Sequence, residues 1–347
     1  MIVDPRLVKK ILVIKLRAIG DVLLSTVVLE SLRSGFPDAS IDFLTERPSR
    51  EVIEGNPCVN SAVIFDGKKQ SGLGLILDIR RRRYDLVIDL FGNPRSALVA
   101  LGSGARYRVG YRFGWRRYCY NIITEPRGNK VHNTEFNLDA VRRLGIPVVS
   151  SSPHFPLTRK ANDFAEAFFS DRGLKGKFVV ALNPGGGWPS KRWPIRHFAQ
   201  LGDQLTEKYG AKILVVWGPG EEGRAAEIQK SMRARPDLIP PSNLKQLGAI
   251  LKRCNLIVTN DSGPMHIAAA VGTAVVAIFG PTNPEFQGPV TERRAIIQNQ
   301  DLLCLGCNFT HCPIGNPCME KLGADVVKRE LDRLLAISTG IQVVRSP

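Results

Sequence analysis

Short apolar runs alternate with amphipathic stretches along most of this chain. In the first half the runs Ile11–Leu16, Ile41–Leu44, Ala62–Phe65 and Leu86–Leu90 are rich in branched aliphatic residues and too short for helices. Each predicts a strand covered on both faces, and a weaker one is expected at Tyr107–Gly110. Helical spacing follows Asp21, Pro48, Gly72 and Pro94. The stretch HNTEFNLDAVRRLG, from His132, reads as a helix closed by Gly145. Strands that alternate with helices pair in parallel, because each helix returns the chain to the end where the last strand began.

The alternation stops at IPVVSSSPHFPLT, Ile146 to Thr158, which is rich in proline and serine and predicts a linker. It then resumes. Strands are expected at Phe178–Leu182, Ile213–Trp217, Leu256–Thr259, Ala274–Phe279 and Ala295–Gln298, with helices after Pro194, Glu221, Asn243 and Gly263. A last helix is expected over Asp325–Ala336. The fold class is therefore α/β, with two doubly wound, Rossmann-like parallel-sheet domains facing a cleft. The boundaries drawn are 1–155 and 156–347, the last helix being a candidate to return to the first domain. Ligands of such domains bind beyond the carboxyl ends of the strands.

A chain of 347 residues suits two domains. Its basic start has no small-residue cleavage site, and no apolar run is long enough to span a bilayer, so a cytoplasmic location is expected. The net charge of +16 is uneven: arginines fill positions 80 to 83, and RYRVGYRFGWRRYCY spans Arg106 to Tyr120. Such surfaces favour anionic partners. No nucleic-acid module accompanies them, and nucleic acid is not expected as a partner. Of seven cysteines, Cys304, Cys307, Cys312 and Cys318 are spaced C-x2-C-x4-C-x5-C. That spacing is compatible with structural zinc. Four reduced thiols are the preferred reading, and no metal is assigned.

Three loops at predicted strand ends of the second half carry phosphate chemistry. In NPGGGWPSKRWP, Gly185, Gly186 and Gly187 let main-chain N–H groups approach an anion, and Lys191 adds a positive charge. Pro194 is expected to open the next helix. In NDSGPMHIAAA, Ser262 and Gly263 start a helix and offer a second anion site. His266 lies one turn on, and Asp261 can accept from sugar hydroxyls. In VVWGPGEEGRAAE, Glu221 or Glu222 can accept from ribose hydroxyls. The competing structural readings are helix caps, a packed histidine and a surface lysine. Together the loops point to a nucleoside diphosphate on the C-terminal domain. The first loop of the chain, KLRAIGDVLLST, differs: it holds one glycine, Gly20, followed by the acid Asp21.

LRAIGDVLLST, KRWP, WGPGEE and NDSGPMHIAAAVGTAVVAIFGPTNP together resemble glycosyltransferase family 9, the heptosyltransferases of the lipopolysaccharide inner core, and the second and third enzymes of that group more than the first. The resemblance runs from Ile11 to about Leu335. It implies the GT-B fold, with the acceptor on the N-terminal domain and ADP-heptose on the C-terminal one. It implies glycosyl transfer with inversion and no required cofactor, the donor being ADP-heptose. Asp21 matches the catalytic aspartate, the base that takes the acceptor's proton; the plain structural alternative is a helix cap. Lys191, the amides of Gly185–Gly187 and the helix start at Ser262–Gly263 would stabilise the departing ADP. Asp261 would hold heptose hydroxyls, His266 would lie near the phosphates or sugar, and Glu221 would meet the ribose, with Glu222 as the alternative. Arg17 would meet acidic groups of a Kdo- and heptose-bearing lipid A acceptor. The protein would be cytoplasmic and peripheral on the anionic inner membrane face. The rival readings are a family member with another nucleotide sugar or acceptor, and a non-catalytic nucleotide- or anion-binding protein.

Overall fold

The computed structural model describes residues 3–127 and 130–339. The chain divides into two compact units, Met1–Pro156 and Leu157–Pro347. Each is built on one parallel sheet of six strands.

In the first unit the strands are β1 (Lys10–Ile14), β2 (Ser40–Glu46), β3 (Ser61–Phe65), β4 (Leu86–Asp89), β5 (Tyr107–Tyr111) and β6 (Ile122–Thr124), in the spatial order β3-β2-β1-β4-β5-β6. The second unit has β7 (Val179–Asn183), β8 (Lys212–Val215), β9 (Asp237–Leu238), β10 (Leu256–Asn260), β11 (Ala274–Ile278) and β12 (Arg294–Ile297), ordered β12-β11-β10-β7-β8-β9. The two sheets share one winding. In each, the first strand sits centrally, the next two lie on one side of it and the last three on the other. The central strands are apolar along most of their length because helices cover both faces: Ile11 lies between Ile41 and Leu86, and Val258 between Leu182 and Val276. Separate cores result. One gathers Leu12, Leu44, Ile79 and Val87; the other gathers Trp193, Phe198, Val258 and Leu331.

The predicted strands are all present, with ends moved by one or two residues. The sequence reading lacks β6 and β9, which are too short to show a periodicity. It also lacks the helix Arg159–Asp171, whose buried face is mostly alanine and whose start is capped by Thr158. The first helix, Ile19–Ser25, begins before Asp21 rather than after it, since an acid suits the first helical turn. Pro194 is the residue before its helix, Ile195–Tyr209, not the first within it: its ψ of 139° is extended. The stretch from Ile146 is irregular as expected, and it is tied to the first unit. The Val149 N–H donates to Ser31 Oγ at 3.0 Å and the His154 N–H to Thr26 Oγ1 at 2.9 Å. The last helix, Ala324–Thr339, packs on its own unit, where Val327 and Leu331 are fully buried.

The strand order creates one switch point per sheet. In the first it lies between β1 and β4, in the second between β7 and β10. There the helices leaving the two strands diverge to opposite faces and open a crevice beyond the strand ends.

Candidate active site

At the first sheet's switch point the chain leaves β1 through Lys15, Leu16, Arg17 and Ala18. Lys15 is buried, and its ammonium donates to the Leu90 carbonyl, just past β4, at 3.0 Å. Burial lowers its pKa, while the negative charges of Asp21 and Asp89 act the other way. Asp89 closes β4 and is fully buried. It accepts from the N–H groups of Phe91 and Gly92 at 3.0 and 2.9 Å and from the Tyr120 hydroxyl at 2.7 Å. Burial raises its pKa and these hydrogen bonds lower it, leaving it above the ordinary carboxylate value.

Asp21 is half-buried in the first turn of the helix Ile19–Ser25. Its Oδ2 accepts from the Ala18 N–H at 3.2 Å, and its Oδ1 from Asn133 Nδ2 at 2.9 Å. Asn133 opens the helix Asn133–Arg143. The carboxylate is thus held from two elements and its plane is set. The structure combines the two readings of Asp21: one oxygen does cap the helix, and the carboxylate still carries a side-chain partner from a distant part of the chain. Arg17 is exposed on the same loop.

At the second sheet's switch point two asparagines close neighbouring strands. Asn183, ending β7, donates to Thr259 Oγ1 and to Ser262 Oγ, both at 2.8 Å. Asn260, ending β10, donates to the carbonyls of Pro184 and Gly185 at 3.0 and 2.9 Å and accepts from the Trp193 N–H at 3.0 Å. Both side chains are buried. Each spends its hydrogen-bonding capacity on the neighbouring loop, so the glycine loop and the Ser262 turn are locked in register.

The third loop meets the first through Glu221. Its Oε1 accepts from the Gly186 N–H at 3.2 Å and its Oε2 from the Gly218 N–H at 3.0 Å. A Cβ added to Gly185 would lie 2.5 Å from both carboxylate oxygens, which is why that position is glycine. Glu222, one residue on, is exposed and opens the helix Glu222–Ser231. Arg192 donates to the Gly186 carbonyl at 2.9 Å. Arg224 is half-buried beside it, and burial together with Arg192 holds its pKa below the ordinary guanidinium value.

Lys191 and Asp261 form an ion pair of 2.6 Å, with side chains 16% and 7% exposed. Asp261 also accepts from Thr282 Oγ1 at 2.7 Å, and the ammonium lies 4.4 Å from the centre of the Trp188 ring. Gly263 opens the helix Gly263–Ala270; Ser262 precedes it without capping it by its side chain, and His266 is buried within it. The structure therefore joins Gly185, Gly186 and Glu221 in one group and Lys191 with Asp261 in another. Asn183 and Asn260 connect them through Ser262. Gly187 lies in the same loop with open space around it.

The cysteine-rich loop braces this region. Gly306 and Asn308 donate main-chain N–H groups to the carbonyls of Gly280 and Pro281 at 3.1 and 2.7 Å. Ser190 donates to the carbonyls of Thr310 and Phe309, which supports the turn Pro189–Lys191. Cys318 is buried and its thiol is pushed up to about 11, by burial first and by Cys312, Cys304 and Cys307 after it. Among the described residues no group of three or more His, Cys, Asp or Glu side chains is placed to hold a metal ion. Nor is any helix among them long and apolar enough to cross a membrane.

Sequence reasoning missed Lys15, Asp89, Asn133, Asn183, Asn260 and Thr282. A faint signal existed for the two asparagines, since Asn183 directly ends an apolar run and Asn260 follows one after Thr259.

The sequence profile of glycosyltransferase family 9 (heptosyltransferase) matches residues 73–316. Lipopolysaccharide heptosyltransferase 3 of Escherichia coli strain K12 is 29% identical over 290 residues, covering 79% of this chain and 83% of that protein. The crystal structure of a glycosyl transferase family 9 protein from Veillonella parvula superposes with a TM-score of 0.83 at 26% identity, over 95% of this chain and 97% of that one. The E. coli ADP-heptose lps heptosyltransferase II structure shares the fold, with a TM-score of 0.77 at 24% identity over 95% and 99% of the two chains.

Proposed function

The chain belongs to glycosyltransferase family 9, and on that premise we propose that it moves L-glycero-D-manno-heptose from ADP-heptose to the inner core of a lipopolysaccharide, with inversion at the anomeric carbon. The observation that carries the proposal is the order of groups at the second sheet's switch point. Glu221, whose carboxylate is turned onto the glycine loop, is assigned to the ribose hydroxyls. The glycine loop and Lys191 follow, suited to the diphosphate. Asp261 comes last, suited to sugar hydroxyls.

In this reading the ADP lies along Glu221, Gly185–Gly187, Lys191 and the helix start at Ser262–Gly263. The acceptor belongs to the first unit, near Asp21 and Arg17. An acceptor hydroxyl oxygen attacks the anomeric carbon from the face opposite ADP. The new carbon–oxygen bond forms as the bond to the β-phosphate oxygen breaks, and the hydroxyl proton passes to Asp21. Asn133 and the Ala18 N–H hold that carboxylate in one orientation. The charge that builds on the leaving diphosphate is met by Lys191 and main-chain N–H groups. For Lys191 to serve the phosphate it shares its proton donors between phosphate and Asp261. An ammonium has three donors, so both can be satisfied. Asp21, Lys191 and the other named residues thus have distinct tasks, and His266 is assigned to the phosphates or the sugar.

The relatives named above as lipopolysaccharide heptosyltransferases support the acceptor class, and the E. coli ADP-heptose enzyme supports the donor. Thermal unfolding with nucleotides tests the donor. ADP should raise the melting temperature and ADP-heptose should raise it further, because a ligand of the native state alone stabilises it by mass action. A rise with UDP or GDP and none with ADP would keep the transferase and replace the donor.

A further inference from the structure

We propose that the face of the first unit formed by the helix Gly72–Arg82, the helix Pro94–Gly102 and the turn Gly114–Cys119 is a docking surface for an anionic lipid bilayer. The three elements are contiguous. Ile76 packs against Gly102, and Arg80 donates to the Gly102 carbonyl at 3.5 Å. Arg116 in the turn donates to the Gly92 carbonyl, beside the start of the second helix. The outward positions carry an unusual set of side chains. The first helix exposes Leu73, Leu77, Arg80 and Arg81, which is one stripe at helical spacing; the second exposes Arg95, Leu98 and Leu101. The turn exposes Trp115 at 53% and Tyr118 at 71%. Every exposed residue between Gly72 and Tyr118 is Leu, Trp, Tyr, Arg, Gly or Pro.

No acid within these three elements is fully exposed, and the acid that reaches them from β2, Glu46, is half-buried beside Arg95 at 3.9 Å. The segment holds ten arginines and three aspartates. Asp78 is half-buried and pairs with Arg82 at 3.5 Å. Asp85 accepts from the main-chain N–H groups of Lys9 and Lys10 at 2.8 and 2.9 Å. Asp89 is fully buried. A solvated face would mix both signs of charge with neutral polar groups. Leucines with an aromatic pair and arginines instead match the boundary between acyl chains and phosphates, where apolar stems and rings insert and guanidinium groups stay at headgroup level.

Two other occupants fit less well. A second copy on this face would set arginine rows against each other. A nucleic acid would satisfy the arginines and leave four leucines in water. The bilayer is matched by both. Its position also has a use that rests on the proposed acceptor. Leu73, Trp115 and Tyr118 follow β3 and β5, so they lie toward the carboxyl ends of the strands, the end of the sheet from which Asp21 projects. Docking there would hold that end against the surface that carries a lipid-anchored saccharide.

The test is flotation of the full-length chain with vesicles of phosphatidylcholine alone and of phosphatidylcholine mixed with phosphatidylglycerol, without donor or acceptor. The chain should float with the anionic vesicles only, and less as salt is raised. Trp115→Ser with Tyr118→Ser, Leu77→Gln with Leu98→Gln, and Arg80→Ser with Arg81→Ser should each weaken that binding at least tenfold without lowering the melting temperature. Phe309→Ser and Arg235→Ser, exposed positions of the second unit, should leave it unchanged. Equal binding by the three double variants, equal binding to neutral vesicles, or binding of an RNA oligonucleotide in place of vesicles would each overturn the proposal. Turnover on an acceptor stripped of acyl chains should survive in the three variants. Its absence from the unaltered chain would count against the proposed reaction, not against docking.

Discussion

At the scale of single residues, the second unit's site depends on close approach. Gly185 lies against the Glu221 carboxylate with no room for a methyl group. Gly185→Ala should displace that carboxylate and weaken ADP binding about tenfold, or about 1.4 kcal/mol, by titration calorimetry. Turnover should return at saturating donor if the ribose contact is what was lost. The glycine loop, Lys191, Glu221, Asp261 and Asp21 were legible in the sequence because they sit in polar segments directly after apolar runs. The roles of Asn183 and Asn260 were not, although both open the polar loops, and Lys15 was not, because it directly follows β1 and reads as part of that strand. What gives Asn183 and Asn260 their importance is that β7 lies beside β10. Nothing in the composition of either strand says so.

At the scale of elements, the last helix is held to the helix Ile195–Tyr209 by two acids, Asp325, which accepts from Gln204 Nε2 at 2.6 Å, and Asp332. Asp332 accepts from Lys208 at 2.7 Å, from the Tyr209 hydroxyl at 2.5 Å and from Lys328 at 2.9 Å. Partial burial alone would raise its pKa, but these three bonds win and hold it below the ordinary aspartate value. A depressed pKa in the folded state means stability present at neutral pH and lost as pH falls through that pKa. Asp332→Asn should therefore cost about 1 kcal/mol at pH 7, since Lys208 is half exposed and screened. The gap from the unaltered chain should close below pH ~4. Denaturant unfolding of the two proteins across that range checks both statements. The helix itself was readable from its apolar spacing. The helix Arg159–Asp171 was not, since alanines at its buried positions leave almost no hydrophobic contrast.

At the scale of the whole molecule, the two units repeat one winding and carry different chemistry. The sequence showed the repetition plainly, through two series of strands broken by a proline- and serine-rich stretch. It also showed why the repeats diverged: the first loop of one has an acid where the other has three glycines. Hydrogen exchange should report this division. ADP should slow exchange at the amides of residues 185–187, 218 and 262–263, and leave the amides of β1 and β4 unchanged, because those strands belong to the unit proposed to take the acceptor. Protection centred on residues 17–22 would place the nucleotide on the wrong unit. The same division explains the charge. Arg80, Arg81 and Arg95 of the first unit are exposed on one face, whereas the second unit's Lys191 is turned inward to Asp261.

The central claim is that Asp21 takes the proton of the acceptor while the second unit alone holds ADP. The most direct measurement is the turnover of Asp21→Asn beside its affinity for ADP. Asparagine keeps the shape of the side chain and removes the base. The account predicts that turnover falls at least ~100-fold, the range expected for loss of a general base, while the ADP dissociation constant and the melting temperature stay as in the unaltered chain. Turnover that persists near its original rate in this variant would show that another group carries the proton, and would contradict the account.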